Sequence, residues 1–132
     1  MKFKKILVVG IQKPQLDSST WKSLDFLTEK IILLSPDSKN ITKELKDTDY
    51  LLVYFNKVDK EMIDSAPNLK YIGALATGVG KIDSEYAASK NIITTNIPGY
   101  STESVAELVF AVLLENLREI ARAKMESKKG NR

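Results

Sequence analysis

Few residue types in this sequence are able to carry acid–base or nucleophilic chemistry, and the gaps narrow the possibilities first. There is no His and no Cys among 132 residues. The side chain that usually exchanges protons near neutral pH is therefore missing, and so is any thiolate nucleophile. The arginines are Arg118, Arg122 and Arg132, all in a charged C-terminal stretch. Metal binding would rest on carboxylates alone, and no Asp/Glu cluster has ligand-like spacing; Asp47 with Asp49 reads as a solvated turn. Hydroxyls such as Thr77 and Ser101 have no base beside them in sequence. The expected catalytic set and metal set in this chain are both empty.

What remains is a place to bind. Residues 68–83, Asn-Leu-Lys-Tyr-Ile-Gly-Ala-Leu-Ala-Thr-Gly-Val-Gly-Lys-Ile-Asp, read as a buried strand over 69–75, a glycine loop over 76–80 and a helix opening at Asp83. Such a loop exposes backbone N–H groups where Cβ atoms would otherwise block approach, which suits a small anion or polar ligand. The same pattern also serves as a tight strand-to-helix connection with no ligand, since short glycine motifs are unspecific.

The elements that must position this loop follow from the apolar pattern. Residues 3–9 form an apolar, β-branched run of parallel-strand length closed by Gly10. The loop Gly10-Ile11-Gln12-Lys13-Pro14 matches neither G-x-G-x-x-G nor G-x-x-x-x-G-K-[ST], and it lacks the Ser/Thr/Gly cluster a flavin phosphate would want. Ser18, Ser19 and Thr20 offer N-caps for a helix over 21–29, in which Trp21 is a packing residue. Strands are expected over 31–34, 49–55 and 92–95, and a short helix over 41–46. Asp59 caps a helix that Pro67 stops, and Asp83 caps one reaching about Lys90. Five strands alternating with helices predict an α/β fold. It is a flavodoxin-like five-stranded parallel sheet of order 2-1-3-4-5 with helices on both faces. Ligands of such sheets sit at the carboxyl ends of the strands. That brings the loops carrying Phe55 and Asn56, Thr77 to Val79, and Tyr100 toward one crevice. A phospho-receiver domain shares the fold class but needs acidic residues where this chain has Gly10-Ile11 and Phe55-Asn56.

Composition is that of an ordinary globular chain, 43% hydrophobic and 28% charged, with a formal net charge of +3. Residues 118–132 hold six Lys/Arg against two Asp/Glu, and the rest hold fourteen against fifteen. The basic balance thus belongs to the tail, which argues against a nucleic-acid partner. No apolar run reaches membrane-spanning length, and the run 6–9 after the N-terminal lysines is too short for a signal peptide. A cytoplasmic chain with no membrane partner is expected.

The last helix departs from the pattern. Ser104 with Glu107 makes a capping box, and Val105-Ala106 then Leu108 to Leu114 are apolar on every side. A surface helix shows one stripe. This one calls for cover by a second domain, a second subunit or both. From Glu115 onward the helix turns charged, and residues 126–132 read as a charged tail or a cut linker.

Three segments together resemble the D-isomer-specific 2-hydroxyacid dehydrogenases. They are Asn68-Leu-Lys-Tyr-Ile-Gly, Ala76-Thr-Gly-Val-Gly-Lys-Ile-Asp83, and Ala87-Ala-Ser-Lys-Asn-Ile-Ile-Thr-Thr-Asn96-Ile-Pro-Gly-Tyr-Ser-Thr-Glu-Ser-Val-Ala-Glu107. The Ala-Thr-Gly loop leans toward the glycerate dehydrogenase / hydroxypyruvate reductase branch, and the match is strong over 68–118. The resemblance implies a substrate-binding domain over 1–100, an interdomain and dimerisation helix over 101–125, and a tail over 126–132. It also implies that the NAD-binding Rossmann domain, with the catalytic Arg, Glu and His, lies outside this chain. By the family pattern Thr77 and Gly78 contact the substrate carboxylate and the nicotinamide end of the cofactor, and Val79 lines that pocket. Thr77 and Val105 lie near NAD or NADP, and Phe55, Asn56 and Tyr100 shape the pocket. Many members carry Asp where this chain has Gly80. The expected partners are a small 2-keto or 2-hydroxy acid and a second copy meeting through the helix from Val105. The isolated chain is expected to bind no cofactor tightly and to be inactive. A stand-alone, non-catalytic binding or interaction module with the same fold is the alternative.

Overall fold

The computed structural model describes residues 2–130 and divides into two compact units, between Pro98 and Gly99. The first unit is built on β1 (Phe3–Val9), whose alternate side chains feed two cores. Leu7 and Val9 enter one hydrophobic cluster, Ile6 and Val8 the other, and all four are buried. Being buried on both faces is why β1 reads as a continuous apolar run and why it lies inside the sheet. It pairs in parallel with β2 (Thr28–Leu34) and β3 (Tyr50–Val53). β4 (Tyr71–Ala74) and β5 (Ile93–Thr95) extend the sheet, giving the order β2-β1-β3-β4-β5 with every pair parallel. The fold is the flavodoxin-like α/β sheet read from the sequence.

One face packs against Leu45 of α2 (Ile41–Leu45), Ile63 of α3 (Lys60–Asp64) and Ala87 of α4 (Ser84–Ser89), together with Leu51, Val53 and Ile72 of the strands. The other face packs against Leu24 of α1 (Ser18–Leu27). The caps of α3 and α4 are those the sequence predicts: Asp59 accepts from Met62 N at 3.1 Å and Asp83 from Tyr86 N at 3.0 Å.

Four local expectations are corrected. First, α1 starts at Ser18 and is capped by Asp17, whose Oδ1 accepts from Ser19 N and Thr20 N, both at 2.8 Å. A carboxylate outcompetes hydroxyls at a helix N-terminus because its charge also meets the helix dipole. Hydrogen bonds from Ser19 and Thr20 hold the Asp17 pKa down to about 2. Second, α1 stops at Leu27, because Thr28 is already paired with Phe3 of β1 and its hydroxyl donates to Phe3 O at 3.1 Å. Trp21 is half-buried, and its Nε1 donates to Lys13 O at 2.9 Å.

Third, the Asp47/Asp49 pair is a solvated turn at Asp47 alone, which stays exposed, while Asp49 is buried. Asp49 is 6% exposed, and its Oδ2 accepts from Lys4 N at 2.7 Å and Lys5 N at 3.3 Å. Asp47 Oδ1 accepts from the ammonium of Lys5, which is 3% exposed, at 2.5 Å. Glu44 Oε2 and Glu44 O accept from the same ammonium at 2.6 and 2.7 Å. Three donors thus meet three acceptors, which is how a buried lysine is accommodated. Burial pulls the Lys5 pKa down, but the bonds to Asp47 and Glu44 outweigh it and the net shift is upward.

Fourth, the second unit holds two helices, α5 (Thr102–Arg118) and α6 (Ile120–Lys128), where one was expected over 101–125. The chain breaks at Glu119, in the left-handed region at φ 47°. The freed Ala121 N donates to Glu115 Oε1 at 2.9 Å. No capping box forms: Ser101 is the N-cap, and Ser104 lies inside the first turn. Gly99, at φ 74°, turns the chain ahead of a helix that starts three residues earlier than a Ser104 cap would require. On α5 the large apolar side chains from Val105 to Leu117 are 49–70% exposed. At 100° per residue they span an arc of about 240°, leaving a narrow polar strip of Ser104, Glu107, Glu115 and Arg118. The tail at Asn131 and Arg132 lies outside the described residues. No helix among the described residues is long and apolar enough to cross a membrane.

Candidate functional site at the carboxyl ends of the strands

Within the first unit, five strand-end loops meet at one edge of the sheet. Gly10 follows β1 with φ 91°, and an added Cβ there would sit 2.7 Å from Tyr54 O and 3.1 Å from Asn56 Oδ1. Only glycine lets the first loop lie this close to the third. Asn56 Nδ2 donates to Pro36 O at 3.3 Å, tying the loop after β3 to the loop after β2. Its Oδ1 is sealed from solvent with no partner.

The glycine loop after β4 is joined to its neighbours on both sides. Asn96 Nδ2 donates to Thr77 O at 2.6 Å, and Ile97 N donates to Ala76 O at 3.0 Å. On the other side Val58 and Ile82 form a parallel bridge, with Val58 N donating to Lys81 O at 2.8 Å and Asp83 N to Val58 O at 2.9 Å. Thr77 and Gly78 are exposed, while Val79 is half-buried against the main core and accepts at its O from Ile82 N, 2.7 Å away. A Cβ at Gly78 or Gly80 would meet nothing within 4 Å, and neither residue has a positive φ. The fold itself therefore demands a glycine at Gly10 and demands none at Gly78 or Gly80. Their missing side chains leave open space over an anchored backbone.

Phe55 is the conformational outlier. It sits at φ 59°, a region where a bulky L-residue is costly, and it is 60% exposed. Phe55, Asn56, Pro36, Lys57, Gly80 and Lys81 lie on an open groove of about 1120 Å³. Thr77, Gly78 and Val79 are not on its wall. The structure thus gathers Phe55 and Asn56 beside the end of the glycine loop, with Thr77 and Gly78 on the adjoining edge. Lys57 is neutralised by Asp59 at 3.1 Å. The Asp59 carboxyl is held below its usual range, first by the Met62 N–H and then by Lys57. Tyr100 and Val105 belong to the second unit, where both are exposed.

Sequence reading missed three residues that build this edge. Lys81 and Asn96 stood inside quoted motifs without a role, and Pro36 was given none. Their contacts are long-range pairings that spacing does not encode. Among the described residues no group of three or more acidic, His or Cys side chains is arranged to hold a metal ion.

Comparison with known proteins identifies the frame. Residues 8–128 match the family model described as D-isomer specific 2-hydroxyacid dehydrogenase, catalytic domain. The hydroxypyruvate reductase of Blautia hydrogenotrophica is 36% identical over 100 residues, which are 72% of this chain and 30% of that protein. The glyoxylate reductase of Thermococcus litoralis is 38% identical over 90 residues, 67% of this chain and 27% of that one. Among solved structures, the Aquifex aeolicus D-lactate dehydrogenase complexed with NAD and lactic acid aligns with a TM-score of 0.76 at 29% identity. That alignment covers 96% of this chain and 38% of the other. The chain therefore spans about a third or less of the curated relatives it matches. By this match over nearly its whole length, the chain belongs to the D-isomer specific 2-hydroxyacid dehydrogenase family.

Proposed function

We propose that the chain is the substrate-holding part of an NAD- or NADP-dependent oxidoreductase acting on the CH–OH group of small D-2-hydroxy acids of the glycerate/hydroxypyruvate kind. In this reading it is one portion of a longer enzyme. The observation that carries it is the glycine loop: Gly78 and Gly80 are free of any Cβ obstacle and of any positive φ, on a backbone pinned by Asn96, Ile97 and Ile82. Glycines the fold does not require, at the carboxyl end of a parallel strand, fit close approach by a ligand. Thr77 and the Gly78–Val79 amides would hold the acid's carboxylate, with Phe55 and Asn56 bounding the rest of it; Tyr100, in the second unit, is kept as a pocket residue by the family resemblance alone.

A nicotinamide, when bound, supplies or accepts the hydride. Thr77 in the first unit and Val105 in the second are carried as its contacts by the family resemblance alone, and no glycine fingerprint for its pyrophosphate occurs in the sequence. With no His in the sequence, the proton acceptor of a neutral-pH dehydrogenase is expected elsewhere in the longer enzyme. A second copy meeting this one through α5, and a cytoplasmic setting, complete the proposal. The decisive assay is NADH oxidation by the purified 132-residue chain with hydroxypyruvate or glyoxylate. No turnover is expected, and measurable turnover would sink the division of labour proposed here. Shifts of the Thr77 to Val79 amide resonances on adding either acid are expected nonetheless.

A further inference from the structure

Phe55 is held in a conformation it would not choose. A left-handed non-glycine residue is strained and persists only where its neighbours over-determine it. Two groups do so. The Tyr54 ring meets the Phe55 ring edge-on at 4.4 Å. The ammonium of Lys81 donates to Phe55 O at 3.0 Å and lies 5.6 Å from the centre of the same ring. Lys81 is itself anchored: its carbonyl accepts from Val58 N, and its neighbour Ile82 bridges to Val58. It is also the first residue after the open glycine loop. One side chain therefore grips both the carbonyl and the ring of an exposed aromatic on the groove that adjoins the loop.

We infer that Lys81 is a positioning residue: it fixes the Phe55 ring at the rim of the groove and so sets how large a group beside the acid's C2 the site accepts. The inference rests on the carboxylate-holding role proposed above. Lys81 acts through Phe55, and its charge is directed at a carbonyl and a ring face, not at the acid.

The test uses the full chain as wild type, Lys81→Met and Lys81→Arg, titrated by NMR with glyoxylate, which has only hydrogen beside the keto carbon, and with hydroxypyruvate, which has a hydroxymethyl group. Relaxation of the Phe55 ring is measured in the free proteins. Lys81→Met is expected to loosen the ring and to weaken hydroxypyruvate binding about fivefold while changing glyoxylate less than about twofold. Lys81→Arg, which keeps a donor and a cation over the ring, is expected to restore both. An unchanged Phe55 ring in Lys81→Met overturns the inference whatever the acids do. Equal losses for both acids overturn it too, because they mean that Lys81 attracts the carboxylate directly, and so does failure of Lys81→Arg to rescue. If neither acid shifts the wild-type Thr77 to Val79 amides, the carboxylate-holding role fails and takes the specificity role with it.

Discussion

Gly10 and Gly78 look alike in the sequence, each in the loop after a strand, yet the structure asks different things of them. At Gly10 a methyl group would press to 2.7 Å from a backbone oxygen while φ stays at 91°. At Gly78 it would meet nothing. Gly10→Ala is therefore expected to destabilise the chain by roughly 2–4 kcal/mol through strain and a clash that cannot relax. Gly78→Ala should stay within about 0.5 kcal/mol of wild type, as at an exposed site without special geometry. Urea unfolding of the two variants reads the contrast directly. Comparable losses would mean that the Gly78 loop is constrained by the fold itself, and the argument for a ligand over it would lose its footing. Gly78→Ala should also weaken the shift response to glyoxylate, since its methyl group occupies the space left for the carboxylate.

At the scale of elements, the tie between β1 and α2 is ionic. Glu44 and Asp47 have their pKa values lowered chiefly by hydrogen bonds from Lys5, whose own pKa is raised against the pull of burial. The signs give a window. The carboxylates stabilise the fold above their ordinary values of 4.5 and 3.8, and that contribution is lost as pH falls through their lower folded values. The Lys5 contribution is complete below 10.5 and is lost as pH rises through its higher folded value. The difference in Tm between wild type and Lys5→Met should therefore be largest and flat between about pH 5 and 10, and shrink beyond both ends. A difference that ignored pH would show that the methylene stem, not the charge, carries the tie.

The sequence offered only part of this tie. Apolar runs marked the five strands, their alternation with helices pointed to the order, and the Asp residues marked the caps at 59 and 83, because those signals are local and strong. Lys5 sits in an apolar strand like an error, and Asp49 looks like a turn residue. Their partners lie about forty positions away, and nothing local announces them. The same holds at the candidate site: the glycine loop was legible from its own residues, whereas the grip of Lys81 on Phe55 exists only once the loops after β3 and β4 are brought side by side. At α1 the ladder to β1 overrode helix periodicity. At Glu119 a helix-compatible residue took up a left-handed break that composition does not mark.

For the whole molecule, the second unit sets the remaining question. An apolar arc of about 240° on α5 is more than twice the roughly 100° stripe that one packed surface covers. Eight large side chains from Val105 to Leu117, each about half or more exposed, thus leave apolar surface enough for a partner on one side of the helix. The proposed pairing of two copies through α5 therefore predicts concentration-dependent association of the purified chain, seen as a rising mass in light scattering. Phe110 and Leu113 lie on the apolar arc, away from the polar strip of Glu107 and Arg118. Phe110→Lys with Leu113→Glu should shift the chain to monomer at the same concentration while leaving the unfolding of the first unit unchanged. A wild-type chain that stays monomeric to high concentration and binds no hydrophobic dye would remove the second copy as the cover for α5. A double variant that associates as strongly as wild type would move the contact off this helix.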